Sequence, residues 1–222
     1  MKYYDADKNK VNLFEKSAYQ FKGEKLNHGR LLVFEGYLKT SKVLDVAHKY
    51  ETTMTTLLTA VYMLAVAEDM SLKDKRKPVV ATIPVNLRKY FASATARNFF
   101  SVVNIPYLFD EGAHDLSRVI TSIKKKLKQE LETDYIERQM NKFSALEHNF
   151  LVKFIPLFIK NIVLKFSAMV SERNSTGSVS NIGKVIMPSE FSKYIKRFSV
   201  FSSTAKQQFC VCSYGEELTI GF

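Results

Sequence analysis

The chain has 222 residues, of which 46% are hydrophobic, and this is enough to bury the core of one large domain. Its formal net charge of +11 favours an anionic partner, which is nucleic acid, an anionic membrane or an anionic small molecule. The two densest basic runs, Lys73–Lys77 and Lys124–Lys128, do not interleave aromatic residues that would stack on bases. Nucleic acid is therefore the disfavoured partner of the three.

The two cysteines, Cys210 and Cys212, lie two residues apart in a predicted strand. Side chains at i and i+2 of a strand point the same way and are poorly placed to bridge each other, so no disulfide is predicted. Two thiols without a third or fourth ligand also argue against a zinc site. The N-terminal residues contain no apolar core of signal-peptide length, and a reducing, cytoplasmic location is expected.

The first part of the chain predicts a lead-in followed by a strand and two helices. Residues 1–25 are polar and aperiodic and predict a lead-in or crossover before a single domain over residues 26–222. Arg30–Gly36 is a short apolar run bounded by glycines, which predicts a strand. Apolar spacings of three and four predict one helix capped by Thr40 or Ser41, and a second that is capped by Thr52 or Thr53 and ends near Met70.

Two β-rich runs, Val79–Val85 and Phe99–Ile105, form the centre of the predicted fold. Both faces of the first run are apolar, which predicts cover on both sides of the sheet. Pro84 has no N–H to donate, so strand pairing is expected to stop or shift there. Asn104 lies in the second apolar strand and needs partners for its amide, or something to bind. The loop between the runs is polar and carries Asn86, Arg88, Arg97 and Asn98.

Two further helices are predicted after these strands. Asp115 is the expected N-cap of a long helix that continues towards Met140, because no glycine or proline interrupts it. The apolar segment Phe150–Val170 contains three lysines and a proline, which disfavour a transmembrane span. It predicts an amphipathic helix from about Pro156, with lysines towards water and its Leu, Ile and Phe on the sheet. Attachment to a membrane surface or to another lobe is the alternative.

The last part of the chain reads as β structure. A strand is predicted from Gly177 through Val185, and Pro188 is expected to open a short helical turn. The residues Tyr214-Gly215-Glu216-Glu217 predict a hairpin turn. The remaining predicted strands are Arg197–Ser202, Phe209–Tyr214 and Leu218–Phe222.

Three motifs of these segments resemble a known family. They are IPVNLR at Ile83–Arg88, NFFSVVN at Asn98–Asn104 and SVSNIG at Ser178–Gly183. Together they resemble the superfamily of chloramphenicol acetyltransferases, peptide-synthetase condensation domains and wax-ester or alcohol acyltransferases. The resemblance is greatest to bacterial alcohol acetyltransferase-type proteins. It implies an α/β fold, with a mixed β-sheet covered by helices, that forms one lobe of a two-lobed protein.

The motif order is that of the C-terminal lobe in this superfamily, and relative to a complete member both ends of the chain look truncated. The resemblance implies acyl transfer from a thioester to an alcohol or amine, with acyl-CoA as donor substrate and no covalently bound cofactor. The superfamily's general base is a histidine in His-His-x-x-x-Asp-Gly of the N-terminal lobe, and this chain lacks that motif. None of the four histidines, His28, His48, His114 and His148, is followed by an aspartate four residues later.

The expected partner is an N-terminal lobe outside this chain, or a second copy bound through the exposed lobe interface. Other catalytic signatures, such as the Gly-x-Ser-x-Gly elbow or a phosphate-binding glycine-rich loop, are absent from the sequence. The chain alone is therefore expected to be inactive. A non-catalytic binding module that kept the fold is the alternative function.

The resemblance implies that this lobe contributes polar side chains to a tunnel between the lobes. Their amides and hydroxyl would bind an acyl carbonyl, an acceptor or a pantetheine arm. Arg88 has a second interpretation as an ion-pair anchor that holds the loop to the core, and asparagines beside strands commonly satisfy backbone groups in turns. The predicted substrate-binding residues are Asn86, Arg88, Asn98, Asn104, Ser180 and Asn181; no catalytic or metal-binding residue is predicted.

Overall fold

The computed structural model describes residues 17–22, 30, 32–110, 112, 114–148, 156–202 and 206–222. Most of the predicted lead-in, His28 and the first residues of the segment predicted from Phe150 lie outside these ranges. The division of the chain between residues 25 and 26 therefore stays a prediction.

One mixed six-stranded sheet organises the chain, in the order β1-β6-β5-β4-β2-β3. Strands β2, β4 and β5 run parallel, whereas β1–β6, β6–β5 and β2–β3 pair antiparallel. The α/β fold class with a mixed sheet is therefore confirmed. The strands are β1 Glu35–Lys39, β2 Val79–Asn86, β3 Phe100–Tyr107, β4 Gly177–Lys184, β5 Gln208–Tyr214 and β6 Glu217–Gly221.

Three helices cover one face of the sheet and form the core with it. The side chains of alternate residues on β2, β3, β4, β5 and β6 point into this core, as the period of two requires. The second helix begins after Thr53, whose hydroxyl accepts from the N–H of Thr56 at 3.2 Å, as its capping role predicted. The helices are α1 Thr40–Lys49, α2 Met54–Asp69, α3 Leu116–Glu130, α4 Thr133–His148, α5 Leu157–Arg173 and α6 Ser189–Ser192; α1, α2 and α3 supply the core.

The opposite face of the sheet, here called the open face, is only partly covered along β2 and β3. Phe100 is 55% exposed and Val102 is 53% exposed, and Pro84 on β2 is exposed as well. The prediction of cover on both faces therefore holds at Val80, which is 5% exposed, and is wrong further along β2 and on β3, at Pro84, Phe100 and Val102. An apolar face that is left open in this way is typical of a surface that another body covers.

Pro84 does not interrupt the ladder between β2 and β3, contrary to the prediction. The backbone N–H and C=O of Val80 bond Thr176, which precedes β4, so the even-numbered residues of β2 direct these groups away from β3. The nitrogen of Pro84 lies on that side too, where pairing with β4 already ends at Thr82. Pairing with β3 continues to Asn86.

Three predicted boundaries shift because tertiary contacts decide them. The first strand begins at Glu35, where pairing with β6 begins, rather than at Arg30. Neither Thr40 nor Ser41 caps α1, because the N–H of Thr40 still bonds Glu216 beside β6 and Lys39 is the N-cap residue. The helix capped by Asp115 begins as predicted, but it ends at Glu130. A separate helix, α4, follows it, and Ile136 of α4 packs against Leu87.

The predicted strand Arg197–Ser202 is irregular in the structure. Both edges of β5 and both edges of β6 are already paired, so this segment lies over their face instead. Cys212 Sγ donates to Phe198 O at 3.4 Å, and a Cβ added to Gly221 would lie 2.4 Å from Val200 O. The hairpin between β5 and β6 is confirmed, with Tyr214 opposite Glu217 and Gly215 at φ 59°.

Helix α5 begins after Pro156 as predicted, but its packing is not the predicted one. No residue of α5 is buried, so its Leu, Ile and Phe side chains do not lie on the sheet. Phe158, Ile162 and Phe166 are each more than 60% exposed and recur every four residues. They form one stripe along the helix, here called the α5 stripe.

Candidate functional site

Three of the six predicted site residues surround the loop between β2 and β3. Asn86 Oδ1 accepts from the N–H of Arg88 at 3.0 Å and so begins a turn of 3₁₀ helix over Leu87–Lys89. Arg88 Nη2 donates to the carbonyl oxygens of Thr95 at 3.0 Å and Arg97 at 2.6 Å. Arg88 therefore holds the loop together through carbonyl groups of the loop itself, and the ion pair to the core that its second interpretation proposed is not among these bonds.

Asn98 is exposed at the end of the same loop. The loop is fixed from beneath by Leu87 and Phe91, which are buried against Ile136 of α4. Apolar residues one and three positions from the motif arginine are the signal in the sequence for this anchor. The loop is thus held at both its polar and its apolar side.

Asn104 lies on the open face and belongs to a small hydroxyl network. Thr82 Oγ1 lies 2.8 Å from Asn104 Oδ1 and 2.8 Å from Ser175 Oγ, and Ser175 Oγ lies 3.2 Å from Gly177 O, to which it donates. A hydroxyl donates only one hydrogen bond, so Thr82 can donate to Asn104 or to Ser175 but not to both. One acceptor position of this network is therefore available to a ligand N–H or O–H.

Ser180 and Asn181 are adjacent on β4 and so point to opposite faces of the sheet. Asn181 Nδ2 donates to Thr55 Oγ1 of α2 at 3.0 Å, and Asn181 Oδ1 accepts from the N–H of Gly183 at 2.9 Å. These bonds tie β4 to α2 and form the irregularity in its pairing with β5. Ser180 is half-buried on the open face, on the same side as Asn104.

The structure does not bring all six predicted residues together. Asn104 and Ser180 share the open face, Asn181 faces the helices, and the other three lie at the loop. The register adds residues that the sequence analysis missed, because Thr82, Ser178 and Gln208 stand beside Asn104 in one row across four strands. The Oε1 atom of Gln208 is buried without a hydrogen-bond partner among the described residues.

A groove of about 300 Å³, here called the edge groove, follows the outer edge of β3. Its lining includes Ser101 and Val103 from one face of β3 and Val102 and Asn104 from the other, so the groove lies along the edge of the strand itself. The opposite wall comes from the end of α3 and the start of α4, and Ser171 of α5 completes it. Those wall residues are Lys126, Glu130, Leu131, Tyr135, Ile136 and Gln139.

The charged groups of this wall neutralise each other. Lys126 Nζ lies 2.7 Å from Glu130 Oε1. Burial, together with the hydrogen bond that its phenol donates to Glu130, raises the pKa of Tyr135 above the ordinary value. The Tyr135 hydroxyl is therefore protonated over the physiological range, and the groove offers hydrogen-bonding groups without a net charge of its own.

His114 is held by neighbours at both ring nitrogens. Its Nδ1 lies 3.0 Å from the hydroxyl of Tyr107, and its Nε2 lies 2.9 Å from the carbonyl oxygen of Asp110. Phe109 packs edge-on against the ring. This imidazole closes the turn after β3, and it has no free nitrogen with which to activate a substrate.

The buried thiols of Cys210 and Cys212 also lack the environment of a reactive cysteine. Burial raises the pKa of both thiols, so neither is a ready thiolate. Within the described ranges, no group of three or more His, Cys, Asp or Glu side chains is arranged to hold a metal ion. None of the helices described is both long enough and apolar enough to cross a membrane.

Comparison with solved structures identifies the fold. The chain aligns over 91% of its length with 44% of trichothecene 15-O-acetyltransferase from Fusarium sporotrichioides, at 16% identity and a TM-score of 0.54. It aligns over 86% of its length with 41% of the epimerization domain from the third module of tyrocidine synthetase B, at 17% identity and a TM-score of 0.52. The first condensation domain of the calcium-dependent antibiotic synthetase gives 13% identity over 86% of this chain and 38% of that one, with a TM-score of 0.51.

No protein-family model and no curated protein sequence matches this chain. It spans less than half the length of each of the three structures above. That share agrees with the size of one lobe of a two-lobed protein. The chain therefore has the chloramphenicol acetyltransferase-like fold over one lobe, as the three sequence motifs predicted.

Proposed function

We propose that the chain is the C-terminal lobe of an acyltransferase that moves an acyl group from acyl-CoA to an alcohol or amine. The likeness of its fold to an acetyltransferase and to two synthetase domains, over 86 to 91% of its length, is the observation that carries the proposal. The order of the motifs IPVNLR, NFFSVVN and SVSNIG supports its place in the second half of such a protein. A cytoplasmic location remains a prediction.

In this proposal the general base is a histidine of the other lobe. A base must lie within hydrogen-bond reach of the acceptor hydroxyl or amine, and His114 is committed to its own turn. The lobe described here would bind and orient the substrates. The network of Thr82, Asn104 and Ser175 has one open acceptor position, which suits an acceptor O–H or N–H.

The test begins with the DNA upstream of the codon for Met1 and with the genes beside this one. An in-frame extension or a neighbouring gene that encodes a lobe ending in His-His-x-x-x-Asp-Gly is the expected result. The two lobes are then produced together and supplied with acetyl-CoA and a panel of alcohols and amines, and the release of free thiol is measured. We expect thiol release from the pair and none from either lobe alone.

Asn104→Ala is expected to lower the rate of that reaction, because it removes a side chain of the open-face network. Gln129→Ala, which removes an exposed side-chain amide of α3 outside the network and the loop, is the matched control. The absence of any lobe that binds this chain, or a bound pair that transfers no acyl group, would overturn the proposal. The chain would then be a non-catalytic binding module with an acyltransferase-like fold.

A further inference from the structure

The terminal strand β3 carries unpaired backbone groups at a regular spacing along its outer edge. In the antiparallel ladder with β2, the odd-numbered residues of β3 bond β2, because Val80 directs its own backbone groups the other way, to Thr176. Phe100, Val102 and Asn104 therefore direct their N–H and C=O groups away from the sheet. No residue that the structure describes bonds these groups.

The edge of β3 lacks the features that normally keep an exposed strand from pairing. Natural edge strands are protected by charged side chains, by a β-bulge or by being short. The eight residues of β3, FSVVNIPY, include no charged side chain, and their pairing with β2 has no register shift. Pro106 removes a donor only near the end of the strand. β1, the other terminal strand, has five residues, and two of them are the charged Glu35 and Lys39. The contrast indicates that the edge of β3, unlike that of β1, is a surface on which another strand pairs.

The edge groove lies beside these unpaired groups. Val102, Val103 and Asn104 line it from both faces of β3, and Tyr135 and Gln139 of α4 belong to its helical wall. A volume of about 300 Å³ is at the lower limit for small-molecule sites, which favours a slender occupant. An extended polypeptide is slender and carries its own N–H and C=O groups, so it can complete the hydrogen bonds of the edge, as in strand addition.

The two faces of an added strand would have different neighbours. Its side chains level with Val102 lie on the open face, and the alternate side chains lie level with Val103, on the side where Leu131 and Ile136 line the groove. β-branched residues suit both positions, because they favour an extended backbone and pack well on a half-buried surface. The centre of the bound segment is therefore expected to be β-branched.

The charge of this chain favours acidic residues at the ends of such a segment. Lys126 and Glu130 neutralise each other within the groove. The whole chain has a formal net charge of +11, so the approach of an acidic segment is electrostatically favourable.

We propose that the edge groove binds an extended segment of a partner protein, which adds a strand to the sheet beside β3. The backbone groups of Phe100, Val102 and Asn104 bond this segment, which is β-branched in its centre and acidic at its ends. The binding is separate from the proposed acyl transfer and does not depend on it.

The experiment titrates the ¹⁵N-labelled full chain with the peptide acetyl-Asp-Val-Thr-Val-Thr-Val-Asp-amide. Binding is followed by amide chemical shifts and by hydrogen exchange. We expect the peptide to perturb the amides of residues 100–104 and to slow the exchange of Val102 and Asn104, whose N–H groups it would bond. The amides of β1 are expected to stay unchanged.

Two further peptides separate the backbone contribution from the charge contribution. One has prolines in place of the three central residues and cannot add as a strand, so it is expected not to bind. The other has lysines in place of both aspartates and is expected to bind more weakly than the acidic peptide, since the chain is basic. Equal binding of the lysine peptide would overturn the assignment of acidic ends.

Val102→Pro removes one outward donor, and Val102→Thr keeps that donor with a side chain of similar shape. An edge strand tolerates proline where the N–H points outwards, and Pro106 already occupies such a position. We expect the proline variant to bind the acidic peptide about tenfold more weakly, since one hydrogen bond is lost, and the threonine variant to bind as the wild type does. Slowed exchange of Val102 in the wild-type chain tests the same contact if the proline variant fails to fold.

Equal binding of the acidic peptide by the two variants, or perturbation only of residues outside the edge groove, would overturn the proposal. Absence of binding at millimolar peptide would do the same. Exchange of Val102 and Asn104 that slows as the chain concentration rises, with no peptide present, would show that the edge pairs with a second copy, which also overturns the proposal. The two-lobe assay tests acyl transfer separately from all of these outcomes.

Discussion

Gly177 lies where Tyr62 of α2 reaches the start of β4. A Cβ added to this glycine would be 2.2 Å from the Tyr62 hydroxyl and 2.8 Å from the carbonyl oxygen of Gln207. The Tyr62 hydroxyl is itself buried without a hydrogen-bond partner among the described residues, and burial raises its pKa. The close approach of this ring therefore explains why a glycine opens the third motif strand.

Gly177→Ala is predicted to destabilise the chain by about 2 kcal/mol or more, because overpacking forces the ring or the backbone to move. Tyr62→Phe is expected to be nearly neutral or slightly stabilising, since it removes an unsatisfied buried hydroxyl. In the double variant the loss should be smaller than for Gly177→Ala alone, because the hydroxyl that the new Cβ meets is gone. Urea unfolding of the four proteins measures this, and additive effects would contradict the contact.

At the scale of the side chain, roles that depend on near neighbours in the sequence were easier to predict than the placement of side chains across the sheet. The cap by Thr53 follows from local spacing and could be predicted. The carbonyl partners of Arg88 lie seven and nine residues further along the loop, and the loop's path, which local spacing does not give, decides them. The row of Asn104, Thr82, Ser178 and Gln208 depends on which strands are neighbours. The alternation of side chains along one strand does not say which strands lie next to it. This part of the candidate site could therefore be found only from the structure.

At the scale of the element, the connection after α2 is held by an ion pair with the lead-in segment. Lys22 Nζ lies 2.8 Å from Asp74 Oδ2, and the hydroxyl of Ser71 donates to the same oxygen at 2.6 Å. The hydrogen bonds from Lys22 and Ser71 hold the pKa of Asp74 below its ordinary value of 3.8. The same pair raises the pKa of Lys22 above its ordinary value of 10.5.

These shifts predict how Asp74 contributes to stability at different pH. A carboxyl group with a lowered folded-state pKa stabilises the fold above its unfolded-state pKa, and that contribution is lost as the pH falls from about 3.8 through the folded-state value. Asp74→Asn should therefore lower the free energy of unfolding at neutral pH and approach the wild type in acid. Urea unfolding across the acid range measures the difference. Asp45→Asn on the exposed side of α1 is the control, and a constant gap at all pH would contradict the prediction.

Helices and strands with a regular spacing of apolar residues were predicted well. Segments whose conformation depends on the pairing of other strands were not. Helices α2 and α3 begin after the residues that capping predicted, and both motif strands form. Arg197–Ser202 has β-like residues but finds no unpaired strand edge on β5 or β6. Whether such a segment becomes a strand depends on edges that other parts of the chain have already paired.

At the scale of the whole molecule, the described chain leaves two apolar surfaces uncovered, the α5 stripe and the part of the open face formed by Phe100 and Val102. A helix that is apolar over much of its circumference is normally buried, and α5 has no buried residue. The chain matches less than half of each solved structure with its fold. Under the proposed function, an interface with the other lobe would account for both observations.

The isolated chain is therefore predicted to self-associate, because water-exposed apolar stripes are buried when two copies meet. Sedimentation equilibrium should give a mass that rises with concentration above the 25.5 kDa of one chain. The double variant Phe158→Gln and Phe166→Gln should move the equilibrium towards the monomer, since it removes two large side chains of the α5 stripe. Leu72→Gln is the matched control, because Leu72 is 86% exposed but lies outside the stripe. A wild-type chain that stays monomeric at high concentration would show that neither apolar surface is sufficient for association, and equal effects of the two variants would place the contact away from α5.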